Sequence, residues 1–153
     1  MIHKENTDLK IRLCEPDDFP FIFNLLKQLW PNLAVSFEDY QKVYNQGLES
    51  ENQKLIVALI NNEIVGCCCL TIKNNLWQIG NLGYLDILIV DENTRGRGIG
   101  RKLVDHITTI AIQNDCKRID LDSAFYRTDA HVFYEKLGYE KIAYLISKTI
   151  DIG

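Results

Sequence analysis

The sequence of 153 residues has no apolar run near the roughly 20 residues that a membrane-spanning helix needs. Its opening, Met1-Ile2-His3-Lys4-Glu5-Asn6, lacks the apolar stretch of a secretory signal. It also lacks a cysteine framework. Three of the five cysteines are consecutive, Cys67-Cys68-Cys69, and neighbours in a strand point to opposite faces, which excludes a tidy disulfide set. These absences predict a cytoplasmic protein with reduced thiols, the cysteines serving as small apolar filling. No metal-ligand spacing occurs, so no metal is expected. Repeats, linkers and low-complexity tracts are also missing, so residues 1–153 are expected to form one domain. Basic excess is absent too: 17 Lys and Arg against 21 Asp and Glu give a net charge of −4. With the cations clustered in one loop, this argues for a local anion site and against a nucleic-acid surface, so neither nucleic acid nor membrane is an expected partner.

The few cations are unevenly placed. Arg95, Arg97, Arg101 and Lys102 fall within eight residues, interleaved with Gly96, Gly98 and Gly100. An apolar stretch, Tyr84-Leu85-Asp86-Ile87-Leu88-Ile89-Val90, precedes this run, and a segment of helical period beginning at Ile99 follows it. Strand, glycine-rich turn and helix present backbone N–H groups to a phosphate, and the helix N-terminus adds partial positive charge. Glycine permits the tight turn and the close approach of a ligand. The loop reads as a diphosphate site; an ordinary basic turn is the alternative. Its spacing, G-x-G-x-G, is neither the dinucleotide fingerprint nor a Walker A loop.

Periodicity and punctuation predict the remaining elements. A strand over 10–14 leads into a helix begun by Glu15-Pro16-Asp17-Asp18, with Asp17 or Asp18 as its cap, and ended by Pro31. Ser36 caps a second helix over 37–48. Strands are expected over 54–60 and 64–73, joined by a hairpin at Asn61-Asn62-Glu63, with a second turn at Asn74-Asn75 and a strand over 80–90. A helix over 98–114, a strand over 117–122, a helix over 128–137 stopped by Gly138, and a closing strand over 139–150 complete the order. This predicts a mixed α/β (α+β) fold.

Two motifs carry a family resemblance. Arg95-x-x-Gly98-x-Gly100 resembles the R/Q-x-x-G-x-G/A signature of the GNAT acetyltransferase superfamily. Downstream, Ala130-His131-Val132-Phe133-Tyr134-Glu135-Lys136-Leu137-Gly138-Tyr139 resembles that family's A-x-x-F-Y-x-x-x-G-F/Y segment. The resemblance is strongest over 82–139 and weak before Lys54. It implies the GNAT fold, a mixed and mostly antiparallel sheet with helices on both faces, and an acetyl-CoA-dependent N-acetyltransferase. The expected acceptor is a primary amine of a small molecule, attacking directly in a ternary complex. A peptide amine, an aminoglycoside, or a non-catalytic acyl-CoA sensor are the alternatives.

The resemblance also assigns residues. Arg95, Gly96, Arg97, Gly98, Ile99, Gly100 and Arg101 would hold the coenzyme pyrophosphate. Leu88, Ile89 and Val90 would line the pantetheine arm, where the strand splays from the next one and offers unpaired backbone groups. Tyr134 would be the general acid for the leaving thiolate, and Phe133 a coenzyme contact. Asp86 is the candidate base, since a carboxylate in an apolar strand requires pairing or function; a structural hydrogen-bonding role is the equal alternative. By strand alternation it shares a face with Tyr84, Leu88 and Val90. Arg127 stands where the family commonly has asparagine, a variant that resembles a subgroup including aminoalkylphosphonate acetyltransferases; it would bind a coenzyme phosphate or an acceptor anion, or simply pair with Asp129 or Glu135. His131 is a weaker base candidate. The apolar edge of the last strand, over 142–150, would suit a homodimer.

Overall fold

A computed structural model describes residues 8–32 and 34–151. They form two compact units, residues 1–121 and 122–153 as divided along the chain. The first unit holds a five-stranded sheet in the order β1-β2-β3-β4-β5. Its strands are β1 (Leu9–Leu13), β2 (Gln53–Ile60), β3 (Glu63–Asn75), β4 (Gly80–Val90) and β5 (Cys116–Leu121). The first four are antiparallel to their neighbours, and β5 runs parallel to β4. Helices α1 (Phe19–Leu29), α2 (Phe37–Glu49) and α3 (Ile99–Gln113) complete the unit.

Local chemistry sets the boundaries. Asn61 and Asn62 both take left-handed backbone, φ 51° and 64°, which is the two-residue type I′ turn that matches strand twist. The Ser36 hydroxyl accepts from the Asp39 amide at 3.1 Å and caps α2 as expected. Asp18 caps nothing. Residues 16–18 form a separate 3-10 turn before α1, and the Asp18 carboxylate instead accepts from the Arg12 guanidinium at 2.7 and 3.0 Å and from the Glu15 amide. The β3–β4 turn is longer than Asn74-Asn75: β3 runs on through both, and the connection is Leu76–Ile79.

Side-chain alternation builds two cores, one on each face of the sheet. Phe19, Ile22, Leu25 and Leu26 of α1 and Tyr44 of α2 pack on Val57, Leu59, Cys67 and Ile89. On the opposite face α3 inserts Ile99, Leu103 and Ile107, all nearly inaccessible. Gly66 permits that approach: a Cβ there would lie 3.2 Å from a Leu103 methyl and 3.1 Å from the Ile89 carbonyl oxygen. Cys67, Cys68 and Cys69 are buried filling of β3, and burial pushes each thiol up.

The second unit holds α4 (Thr128–Lys136). Gly138, at φ 92°, stops it in a Schellman arrangement: its own amide donates to Glu135 O, and the Tyr139 amide to Tyr134 O, both at 3.0 Å. The expected closing strand does not form. Among the described residues, 139–151 have no regular structure. Ile142, Tyr144, Leu145, Ile146 and Ile150 are exposed. β-propensity alone makes no strand without a ladder to join, and this unit supplies none among its described residues. The pairing edge expected over 142–150 is corrected with it.

Candidate active site

The parallel pairing of β4 with β5 ends at Leu85 opposite Leu121. From Asp86 to Val90 that edge of β4 has no β5 partner among the described residues. The Asp91 amide donates to Val65 O at 2.7 Å, across to β3. Peptide groups alternate along an antiparallel strand, so those of Leu88 and Val90 point away from β3, to the open edge. Arg95 Nε reaches the Val90 carbonyl from there, at 3.1 Å. Leu88 and the Val90 N–H thus face the edge without a β5 partner, while the Val90 carbonyl is taken by Arg95. Ile89 is placed differently. Its side chain lies in the α1 and α2 core and its backbone is registered against Cys67.

A β-bulge sits where the pairing stops. Cys69 is opposite Ile87 and Leu70 opposite Leu85, which leaves Asp86 as the extra residue. The bulge shifts the parity of β4 and corrects the expected face. Asp86 does not share a side with Leu88 and Val90. Its Oδ2 accepts from the Thr71 hydroxyl in a short contact and from Cys69 Sγ at 3.5 Å. Those two residues lie on the α1 and α2 side, as does Ile87. Leu88 and Val90 register with Cys68 and Gly66, on the α3 side. The carboxylate is hydrogen-bonded, as the structural reading requires, and exposed, as a base requires.

Beyond β4, the Asp91 carboxylate accepts from the Asn93 amide, and Thr94 closes a 3-10 turn onto Asp91 O. Arg95, Gly96, Arg97 and Gly98 are exposed. Gly96 and Gly98 adopt φ of 80° and 77°, the left-handed region that a side chain resists, and nothing lies within 4 Å of where a Cβ would be. Gly100 differs: it belongs to the first turn of α3 and is helical. Gly98 is the N-cap of α3, with no side-chain cap, and its carbonyl takes the first helical bond, from Lys102. The amides of residues 99–101 precede that bond and lack an intrahelical acceptor. Ile99 is anchored in the core while Arg101 and Lys102 are exposed. The arrangement offers open space, oriented amides and cations to an anion.

In the second unit, Arg127 is the N-cap of α4 and its guanidinium stacks near the Tyr126 ring at 5.6 Å. His131 Nε2 lies 3.0 Å from Ala124 O, a tie to the preceding loop. The Tyr134 ring meets Phe133 edge-on at 5.2 Å and Tyr139 at 5.6 Å, so it sits in an aromatic group of three. Burial pushes the Tyr139 phenol up. Thr71 and Cys69 are the residues that sequence reasoning missed. Only a bulge, invisible to a period-two pattern, brings them to Asp86.

A parallel strand pair that opens at a bulge, followed by a glycine-rich turn into a helix, is the arrangement that the resemblance to the GNAT acetyltransferases implies. The chain belongs to that family, described as Acetyltransferase (GNAT) family, which matches residues 19–139. It is 27% identical over 143 residues to glucosamine 6-phosphate N-acetyltransferase of Candida albicans, covering 92% of this chain and 93% of that one. It is 25% identical over 141 residues to aminoalkylphosphonate N-acetyltransferase of Salmonella typhimurium, covering 92% and 91%. The solved structure of glucosamine-6-phosphate N-acetyltransferase from Arabidopsis thaliana superposes with a TM-score of 0.79 at 24% identity, over 94% of this chain and 99% of that one. That likeness establishes the shared fold. Among the described residues no cluster of His, Cys, Asp and Glu could hold a metal ion, and no helix is long and apolar enough to cross a membrane.

Proposed function

We propose that this protein transfers acetyl from acetyl-CoA to the primary amine of a small molecule, by direct attack. The observation that carries the reading is the open edge of β4 leading into the Gly96–Gly98 turn. The amides at the start of α3, with Arg97, Arg101 and Lys102, suit the pyrophosphate. Arg95, tied to Val90 O, holds the turn against the strand end. The backbone groups of Leu88 suit the pantetheine arm as an added strand would. The Val90 N–H, at the open edge, is the donor for the oxyanion.

An alkylammonium has an ordinary pKa of about 10.4 and is no nucleophile until it loses a proton. Asp86 takes that proton, directly or through water. The amine nitrogen then bonds to the thioester carbon, and the carbon–sulfur bond breaks as the tetrahedral intermediate collapses. Tyr134 donates its phenolic proton to the departing sulfur, and the proton that the newly bonded nitrogen sheds restores the phenol through solvent, giving the acetamide and free CoA thiol. Arg127 and Phe133 are assigned to the coenzyme, Arg127 through a phosphate. An acceptor that also carries a phosphate or phosphonate is favoured, because relatives that the chain covers over nine tenths of their length are named for such amines.

Calorimetric titration with acetyl-CoA, with ATP and NAD as controls, tests the coenzyme. Selective micromolar binding supports the assignment, and its absence in folded protein refutes it. Glucosamine 6-phosphate and 2-aminoethylphosphonate, assayed by thiol release, then test the acceptor class.

A further inference from the structure

We infer that Thr71 is a positioning residue for this reaction, fixing the Asp86 carboxylate through one oxygen so that the other receives the acceptor amine. The inference rests on the acetyltransferase reading above. Both donors that reach Asp86, the Thr71 hydroxyl and the Cys69 thiol, end on Oδ2. Oδ1 accepts nothing among the described residues. The asymmetry follows from the bulge. With Asp86 squeezed out of the ladder between Leu85 and Ile87, its side chain turns to the side of β3 where Cys69 and Thr71 alternate. The two anchors differ in kind. Cys69 is buried and its thiol is pushed up by burial and by Asp86, so it remains protonated and a weak donor. Thr71 is half-buried and β-branched, with a χ1 restricted by its branching. Its hydroxyl is the strong donor, held on a rigid strand.

A surface carboxylate without such a tether samples several rotamers. A base must lie within hydrogen-bond reach of the proton it takes, and misplacement by an ångström is costly in rate. Thr71 restricts Asp86 without neutralising it, because the hydroxyl donates to the carboxylate and leaves the charge in place. The proton removed from the amine goes to Oδ1 and then to solvent, and Thr71 keeps its own.

The test is a double-mutant cycle on Thr71→Val and Asp86→Asn, with Thr71→Ser as the conservative control. Thiol release is followed with glucosamine 6-phosphate and 2-aminoethylphosphonate as acceptors, and thermal melts check that each variant folds. Val has nearly the shape of Thr and suits a strand. Thr71→Val is expected to lower kcat about tenfold with KM for acetyl-CoA unchanged, and Thr71→Ser to return to within about twofold of wild type. In the Asp86→Asn background, Thr71→Val is expected to add no further loss. Wild-type kcat in Thr71→Val overturns the proposal. So does a serine variant no better than valine, or a full tenfold loss in the Asn background, which would mark the role as merely structural. Wild-type turnover in Asp86→Asn, with acetyl-CoA still bound, overturns the base assignment and this inference while leaving the acetyltransferase reading intact. Failure of the wild-type protein to bind acetyl-CoA overturns the acetyltransferase reading itself.

Discussion

Gly98 holds φ of 77° in open space at the start of α3. Substitution by aspartate strains the left-handed backbone, typically by about 1–2 kcal/mol, and sets a negative charge among the amides assigned to the pyrophosphate. Gly98→Asp is therefore expected to remain folded and to weaken acetyl-CoA binding at least about a hundredfold, a loss of roughly 2.7 kcal/mol in calorimetry. Wild-type affinity in the folded variant would remove the loop from the coenzyme site. Tyr134 is argued from different chemistry. Only its hydroxyl is asked to act, and its ring contacts with Phe133 and Tyr139 do not need that hydroxyl. Tyr134→Phe should thus lower kcat by about a hundredfold, within the usual contribution of a positioned acid, with calorimetric affinity for acetyl-CoA nearly unchanged. Equal turnover in the phenylalanine variant would strip Tyr134 of its role.

At the scale of elements, the entry to α1 depends on one ion pair. Asp18 is buried, and the Arg12 guanidinium holds its carboxyl below the usual carboxylate range. A lowered pKa contributes stability that is present above the ordinary value, about 3.9, and is lost as pH falls through the folded value. Asp18→Asn is expected to unfold about 1 kcal/mol more easily at pH 7, at the low end for a charged hydrogen bond because Arg12 retains contact with water. The difference should narrow in urea titrations repeated below pH 4. A constant difference across that range would mean that the charge of Asp18 contributes nothing to holding β1 against α1. This ion pair also shows where sequence reasoning stopped. An aspartate before a helix reads as a cap, and nothing local reveals an arginine six residues earlier that outcompetes the helix amides. Elements marked by composition were legible: the Asn61-Asn62 turn, the Ser36 cap, β4 over 80–90 and the Gly138 stop all lie where their chemistry puts them. The glycine loop of the candidate site was legible for the same reason. The environment of Asp86 was not, because one inserted residue reverses the alternation on which its face was assigned. The strand expected over 139–150 failed on the converse ground. Its apolar alternation is real, but a strand is a property of a pair.

At the scale of the whole molecule, charge separates the loop proposed for the coenzyme from the rest. The chain carries −4 in total while residues 95–102 alone carry +4, so the remainder carries −8. On the proposed reading, a polyanionic coenzyme would be repelled by the remainder of the chain and attracted by this one loop. This makes the interaction short-ranged and dependent on ionic strength. Binding to the folded state alone stabilises it by about 2.7 kcal/mol at a ligand concentration of 100 times Kd. For a chain of this length that converts to a rise in Tm of roughly 5–10 °C. Acetyl-CoA at low salt is expected to give such a shift, and ATP or NAD at equal concentration a much smaller one, because the loop spacing fits neither nucleotide fingerprint. Raising salt to 1 M shortens the screening length to about 3 Å. It should shrink the acetyl-CoA shift without abolishing it, since amides close to the ligand are screened least. A shift untouched by salt would assign the binding to backbone amides and the open edge of β4 alone, and would leave Arg97, Arg101 and Lys102 as a solvated surface.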